Sequence, residues 1–178
     1  MGKTKGSVVL HAVKPLRKQR AAALGVLPPA LHHYLEERIV VAVWYPEEDL
    51  KQLMSAVATL MGGPREQVFD VIGAVLAQSH MEGLYADLKD RSPGLRAHTN
   101  WKTQHDTGTL SVVSESPTAI TYELVGWDHA SRDYCRAINA YLTELQRMSG
   151  DRNPRSDHTT CRTRGGDRCV WVVSREAD

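Results

Sequence analysis

Apolar residues recur along the chain at two periods, and the change from one to the other sets the expected order of elements. Leu50, Leu53, Met54, Val57, Leu60 and Met61 follow Pro46-Glu47-Glu48-Asp49 at helical spacing. Proline in the first turn and acidic side chains at the positive end of the dipole mark the start of that helix, and Gly62-Gly63 marks its end. Pro64 opens a second, longer helix, in which Phe69, Ile72 and Leu76 lead to His80 at offsets of 3, 4 and 4. His80 therefore stands in line with an apolar stripe. Gly73 and Gly83 cost this helix about 1 kcal/mol each relative to alanine, a cost that close packing or room for a ligand would offset.

After Pro93-Gly94, the polar run His98-Thr99-Asn100-Trp101-Lys102-Thr103-Gln104-His105 predicts a short helix. The period then changes to two. Leu110 and Val112, and after them Ile120, Tyr122 and Leu124, alternate with polar neighbours on either side of Glu115-Ser116-Pro117-Thr118, as in an antiparallel hairpin with one buried face. Helical spacing returns at Tyr134, Ile138, Tyr141, Leu145 and Met148. The turn residues Arg164-Gly165-Gly166-Asp167 before Cys169-Val170-Trp171-Val172-Val173 predict a closing hairpin. Helices, a hairpin, a helix and a second hairpin predict an α+β fold, with the N-terminal helices packed on one face of an antiparallel sheet.

The start of the chain has less pattern. Leu31, Tyr34 and Leu35 predict a short helix after Gly25 and Pro28-Pro29, and the apolar segment Ile39–Trp44 ends at Tyr45-Pro46. Residues 1–25 carry Lys3, Lys5, Lys14, Arg17, Lys18 and Arg20 and are read as a basic, solvated segment. The 178 residues are 42% apolar, enough for a single domain with a sizeable core. Lys plus Arg is 22 against 21 for Asp plus Glu, a net charge of +1, so no basic field points to nucleic acid. The apolar runs are too short for a membrane span, and Met1-Gly2-Lys3-Thr4-Lys5-Gly6 is polar where an exported protein has an apolar leader. A cytoplasmic protein is expected.

Chemistry concentrates between residues 135 and 169. Cys135 to His158 is 23 residues, His158 to Cys161 is 3 and Cys161 to Cys169 is 8. Three thiolates and an imidazole complete the shell of one tetrahedral zinc ion. Cys135 falls on the helix beside its buried stripe, and the other three residues surround the last hairpin. The offset of 3 puts His158 and Cys161 on opposite faces of a regular strand, so the backbone between them must bend or His158 must lie in the preceding loop. The same cysteines also suit two plainer roles, as small buried hydrophobes or, in an oxidising compartment, as a Cys161–Cys169 disulfide. His98, His105 and Asp106 form a second group of possible ligands, but their spacing matches no common motif and a surface position is expected.

From Cys135 to its end the chain resembles the 4-vinyl reductase domain family, which includes the effector-sensing domains of bacterial phenol-responsive transcription activators. Those domains hold zinc with a cysteine on a late helix and the pattern Glu-x-x-Cys-x7-Cys around the last hairpin. The corresponding residues are Cys135, His158, Cys161 and Cys169, with His158 where the family has an acidic ligand. Lys5-Gly6-Ser7-Val8 and Val43-Trp44-Tyr45-Pro46 are similar to a myxobacterial branch of the same group. The resemblance implies the same α+β arrangement, a structural zinc ion and a ligand cavity between helices and sheet. This fold is shared with haem-based nitric oxide sensors and a vesicle-tethering subunit, and homodimers are implied. The nitric oxide sensors hold the haem propionates with Tyr-x-Ser-x-Arg, a motif found nowhere in this chain.

No nucleophile elbow, glycine-rich nucleotide loop or His-Glu-x-x-His is present, and zinc with four protein ligands has no open position, so a non-enzymatic domain is expected. For its ligand site the candidates are Trp44, His80, Tyr85, Trp101 and Trp127, which combine apolar faces with a few hydrogen-bonding groups. Core packing is the plainer role for each tryptophan. The expected function is binding of a small, mostly apolar or aromatic molecule, reported to a protein partner or through a dimer. The alternative is a scaffold or adaptor with the same zinc and no ligand.

Overall fold

The computed structural model describes residues 2–82 and 92–176; Tyr85 and Gly83 lie outside the described residues. The chain opens with β1 (Lys3–Lys5), which pairs antiparallel with β2 (Trp44–Pro46). Between them run α1 (Gly6–Lys18), α2 (Arg20–Val26) and a 3₁₀ turn over Pro29–Leu35.

The two helices within the basic segment are a departure from the sequence reading. Val8, Val9, Ala12, Val13 and Leu16 form a buried stripe on α1, a 3.6-residue pattern obscured by the flanking lysines and by Pro15 inside the helix. The cations are also less free than a solvated face implies. Arg17 donates to the carbonyl of Tyr34 (2.8 Å) and to that of Glu37, and Lys5 donates to the carbonyl of Ala42 (2.8 Å) while lying 3.9 Å from the centre of the Trp44 ring. Arg20 pairs with Glu36.

The first of the next helices begins and ends where the sequence places it, whereas the one predicted over 98–105 already starts at Pro93. Helix α3 (Glu47–Met61) starts after Pro46 with Glu47, Glu48 and Asp49 in its first turn, and it stops where Gly62 and Gly63 take φ values of +68° and +81°, open to glycine without steric cost. Helix α4 (Arg65–Glu82) follows, and α5 (Pro93–Gln104) is capped by Ser92, whose hydroxyl accepts the Leu95 N–H at 3.3 Å. Helix α6 (Arg132–Met148) is capped in the same way by Ser131, which accepts from the Tyr134 N–H at 3.1 Å.

Four antiparallel strands form the main sheet in the order β3 (Thr109–Glu115), β4 (Ala119–Val125), β6 (Cys169–Ser174), β5 (Arg155–Thr160). The register sets Ile120 opposite Val173, Tyr122 opposite Trp171 and Leu124 opposite Cys169, and all six side chains are buried. Cross-strand partners share a face. Helix α6 packs against β5 and β6 on one side and against α4 on the other, while α5 packs against β3. The α+β arrangement expected from the patterning is therefore present, with α6 as its middle layer.

Gly73 explains how α4 and α6 come so close. A Cβ placed there would lie 2.1 Å from the carbonyl oxygen of Ala137 and 2.9 Å from the Ala140 methyl. Of the two uses expected for this glycine, the backbone contact is the one realised. Gly73→Ala should destabilise the protein by about 1–3 kcal/mol, the usual cost of forcing extra volume into a packed core, despite alanine's better helix propensity. Urea unfolding of the two proteins checks this, and an equal or raised midpoint would contradict the close contact.

Candidate metal centre and the packed interior

Each of the four spaced residues reaches the cluster by a different local device. Cys135 stands in the first turn of α6, with its N–H on the carbonyl of the capping residue Ser131 (2.9 Å). His158 lies within β5 opposite Trp171, and its ring stacks on that indole at 4.6 Å and 11°. The bend required between His158 and Cys161 is a register shift, since His158 faces Trp171 but Thr160 faces Val170. One extra residue in the strand reverses the alternation and returns the chain to the buried face. Cys161 then leads into a 3₁₀ turn (Arg162–Arg164), its carbonyl accepting the N–H groups of Arg164 and Gly166 at 3.0 Å each. Cys169 is the first residue of β6.

The sulfur atom of Cys135 is 3.9 Å from that of Cys169 and 4.0 Å from that of Cys161. One ligand atom from each of Cys135, His158, Cys161 and Cys169 lies within 4.8 Å of all the others, an arrangement that can hold a metal ion. All three cysteines are buried free thiols. The Cys169 thiol is held well below the usual thiol range, chiefly because Cys135 donates a hydrogen bond to it, and also by His158 and the N–H of Arg162. The same contact, with burial, pushes Cys135 up. Among the described residues the buried His158 Nε2 makes no hydrogen bond of regular geometry, and the ring's polar interaction is with Cys169. Three sulfurs, one of them poised as thiolate, and a buried imidazole within reach of one another make a donor set that suits a cation. Cys135, His158 and Cys161 also line a surface cleft of about 610 Å³, so the cluster can be reached from outside.

The expected ligand-site residues are divided. Trp101 and Trp127 meet edge to face at 5.3 Å deep in the protein. Trp127 donates from Nε1 to Glu47 Oε1 at 3.2 Å, and Trp101 stacks on His105 at 4.1 Å. His80 lines the same interior as Trp101, its Nδ1 3.4 Å from the Tyr141 hydroxyl. Trp44 is 38% exposed and borders a surface cleft that Trp101 also touches. The space left in the interior between helices and sheet, walled by His80, Trp101, His105, Tyr134 and Tyr141 among others, is about 50 Å³.

His105 departs from its expected surface position. It is buried, and its Nδ1 lies 2.6 Å from Oε1 of Glu47, a carboxylate with no exposed surface. The polar run 98–105 contains an inward face made by Asn100, Trp101 and Gln104, continuing Ala97 before it. His98 is bonded to the Leu110 carbonyl (2.6 Å) and Asp106 accepts from the Lys3 N–H (2.5 Å), so neither joins His105 in a cluster. The four-residue step from Trp101 to His105 was the one signal for this stacked pair. Nothing separated Glu47 from Glu48 and Asp49.

In overall shape the chain is similar to H-NOX domains. An H-NOX protein from S. oneidensis in the Fe(II)NO ligation state has a TM-score of 0.69 at 16% identity, covering 97% of this chain and 99% of its own. An oxygen-binding H-NOX domain related to soluble guanylate cyclases gives 0.67 at 11% identity, covering 97% and 95%. A third structure, from work on heme distortion in the H-NOX family, gives 0.67 at 13%, with the same coverage. At these identities the likeness establishes the fold. No family model matches the chain, and no curated protein matches it.

Two expectations follow from the interior. Burial holds His80 down to about 3, with His11 and His105 adding to the effect. The folded state keeps His80 neutral while the unfolded chain takes up a proton below about 6.5, so stability must fall as pH drops from there towards 3. His80→Gln should flatten that fall by up to about 1.4 kcal/mol per pH unit, read from urea unfolding at pH 7 and pH 5; parallel curves for the two proteins would contradict it. Glu47→Leu strands His105 Nδ1 and Trp127 Nε1 and should cost about 2–6 kcal/mol, from roughly 1–3 kcal/mol for each buried group left unsatisfied, whereas Glu47→Gln keeps an acceptor and should cost less. Chemical unfolding of both variants makes the comparison.

Proposed function

We propose that the chain is a non-enzymatic sensor domain that is stabilised by a structural zinc ion, binds a small, mostly apolar or aromatic molecule, and passes its signal to a partner or through a dimer. The observation that carries the zinc reading is the convergence of Cys135, His158, Cys161 and Cys169. Tetrahedral zinc with Zn–S bonds near 2.3 Å requires sulfurs about 3.8 Å apart, and the Cys135 sulfur stands 3.9 and 4.0 Å from those of Cys169 and Cys161. Soft thiolates also favour zinc over hard cations. With four protein donors the shell is full, which suits a fold-stabilising role and argues against activation of water. The ion would tie α6 to the closing hairpin.

Two further lines support the reading. The H-NOX-like fold belongs to small-molecule sensing domains, and the 4-vinyl reductase resemblance supplies a zinc pattern with His158 in place of the acidic ligand. Three buried, reduced thiols suit the cytoplasm. The haem of the fold's known members does not fit the residues present. The interior space of about 50 Å³ falls far below the roughly 300–1,000 Å³ of ordinary cofactor pockets, because Trp101, Tyr134 and Tyr141 fill it. That filling is also what favours the second reading, an adaptor with the same zinc and no ligand.

Elemental mass spectrometry of the purified, untagged protein should find about one zinc per chain. Cys161→Ser and His158→Ala should lose or weaken the metal and lower the unfolding midpoint, because binding energy at a structural site is folding energy, while His98→Ala should keep its zinc. Full metal content and stability in Cys161→Ser would overturn the zinc assignment.

A further inference from the structure

If a small molecule binds here, as the sensor reading holds, the helix–sheet interior has little room for it. More apolar space lies among the N-terminal helices. A cavity of about 170 Å³ opens between α1, α3 and α4, walled by Val8, Ala12, Leu50, Val57, Ile72 and Leu76. Helix α4 accounts for it. Its Gly73 and Ala77 side lies against α6, yet Val71 and Val75 on the far side are apolar too. A helix that is apolar on both sides is ordinarily covered on both. Here Met61, Val71 and Val75 remain 49%, 48% and 51% exposed, at the mouth of the cavity.

We infer that this cavity is the ligand site, and that it takes an uncharged, monocyclic aromatic or hydrocarbon molecule about the size of toluene. Size and lining select that class. An apolar cavity of roughly 150 Å³ stays dry and binds benzene, whereas a charged group would enter without a partner. Among the described lining residues His11 alone has a polar side chain, 3.5 Å from the Ser79 hydroxyl and edge-on to His80. Burial first, and Lys14 second, lower its pKa, which favours the neutral ring. Met54 and Met61 supply flexible walls that adjust to shape. The route inward is also present. Val8, Met54 and Leu76 line this cavity on one side and the His80–Trp101 interior on the other, so an occupant presses on the packing that leads to α6.

Toluene, with benzoate as the charged control, should be titrated into the methyl-labelled full chain and followed by NMR. Saturable shifts at Val57, Leu76 and Met54 with toluene, and none with benzoate, are expected. Ala12→Phe, which fills the cavity from α1, should weaken toluene binding at least tenfold while the methyl spectrum stays dispersed. Because the shifts in the unaltered protein locate the site, an unfolded Ala12→Phe does not remove the test. Saturable shifts confined to residues around Trp101 and Tyr134, unaffected by Ala12→Phe, would overturn this site and leave the sensor reading standing. No saturable shift with toluene would overturn the site, and if a wider panel of neutral and charged aromatic molecules also failed to bind, the sensor reading would fall too. Shifts at Met61, Val71 and Val75 that follow protein concentration instead of toluene would make the surface a contact between copies, and would overturn the inference as well.

Discussion

A carboxylate with no exposed surface must find its partners inside the protein, and Glu47 finds them in parts of the chain that are distant in sequence. His105 comes from the end of α5 and Trp127 from the loop after β4, while Glu47 itself opens α3. Removing one member of such a group leaves the others desolvated without compensation, so the three segments have a strong reason to stay together. The N-terminal strand joins at the same place. Thr4 donates to the carbonyl of Gln104 at 3.0 Å, and the N–H of Glu47 to the carbonyl of Gly2 at 3.0 Å. The small β1–β2 sheet and the helical half are thereby held against the half that contains the main sheet.

Helix α6 performs the complementary task on the other side. One face meets α4, where the missing side chain of Gly73 lets the backbones approach, and the opposite face covers the sheet. Its first turn carries Cys135 to the two cysteines and the histidine of the last hairpin. A metal there would fasten the helix to the strands at one end, in addition to the apolar burial of Leu142 and Leu145 along its length. Coordination there would act where the hydrogen-bonded ladder is interrupted, by the register shift after His158 and the 3₁₀ turn before Cys169.

Between these two fastenings the interior is occupied by aromatic rings. Trp101, Trp127, Tyr134 and His105 are arranged edge to face or stacked at 4.1 to 6.3 Å between centroids, which are favourable geometries for π systems. Such packing leaves little free volume beside α6, and the larger apolar space lies between α1, α3 and α4. The fold thus separates a rigid, polar-aromatic centre from a more open aliphatic one, with Val8, Met54 and Leu76 as the shared wall.

Much of this was legible in the sequence wherever a local rule acts alone. The acidic start and Gly62-Gly63 end of α3, the alternation of Ile120, Tyr122 and Leu124, the helical spacing around Cys135 and the impossible offset between His158 and Cys161 each follow from backbone periodicity within a few residues. Helix α1 was missed because Lys14 and Pro15 interrupt a stripe that only burial makes plain, and α2, where Ala23 alone is buried, has no stripe to read. The inward turn of His105, the choice of Glu47 over Glu48 and Asp49, and the division of the tryptophans were decided by tertiary structure. Desolvation selects which of several equivalent polar side chains is paired, and it acts only when distant elements close over them. Local patterning carried the order of elements from α3 onward and singled out the four residues that can hold a metal ion; the three-dimensional packing determined where space remained, because volume is a property of the elements together and of none of them singly.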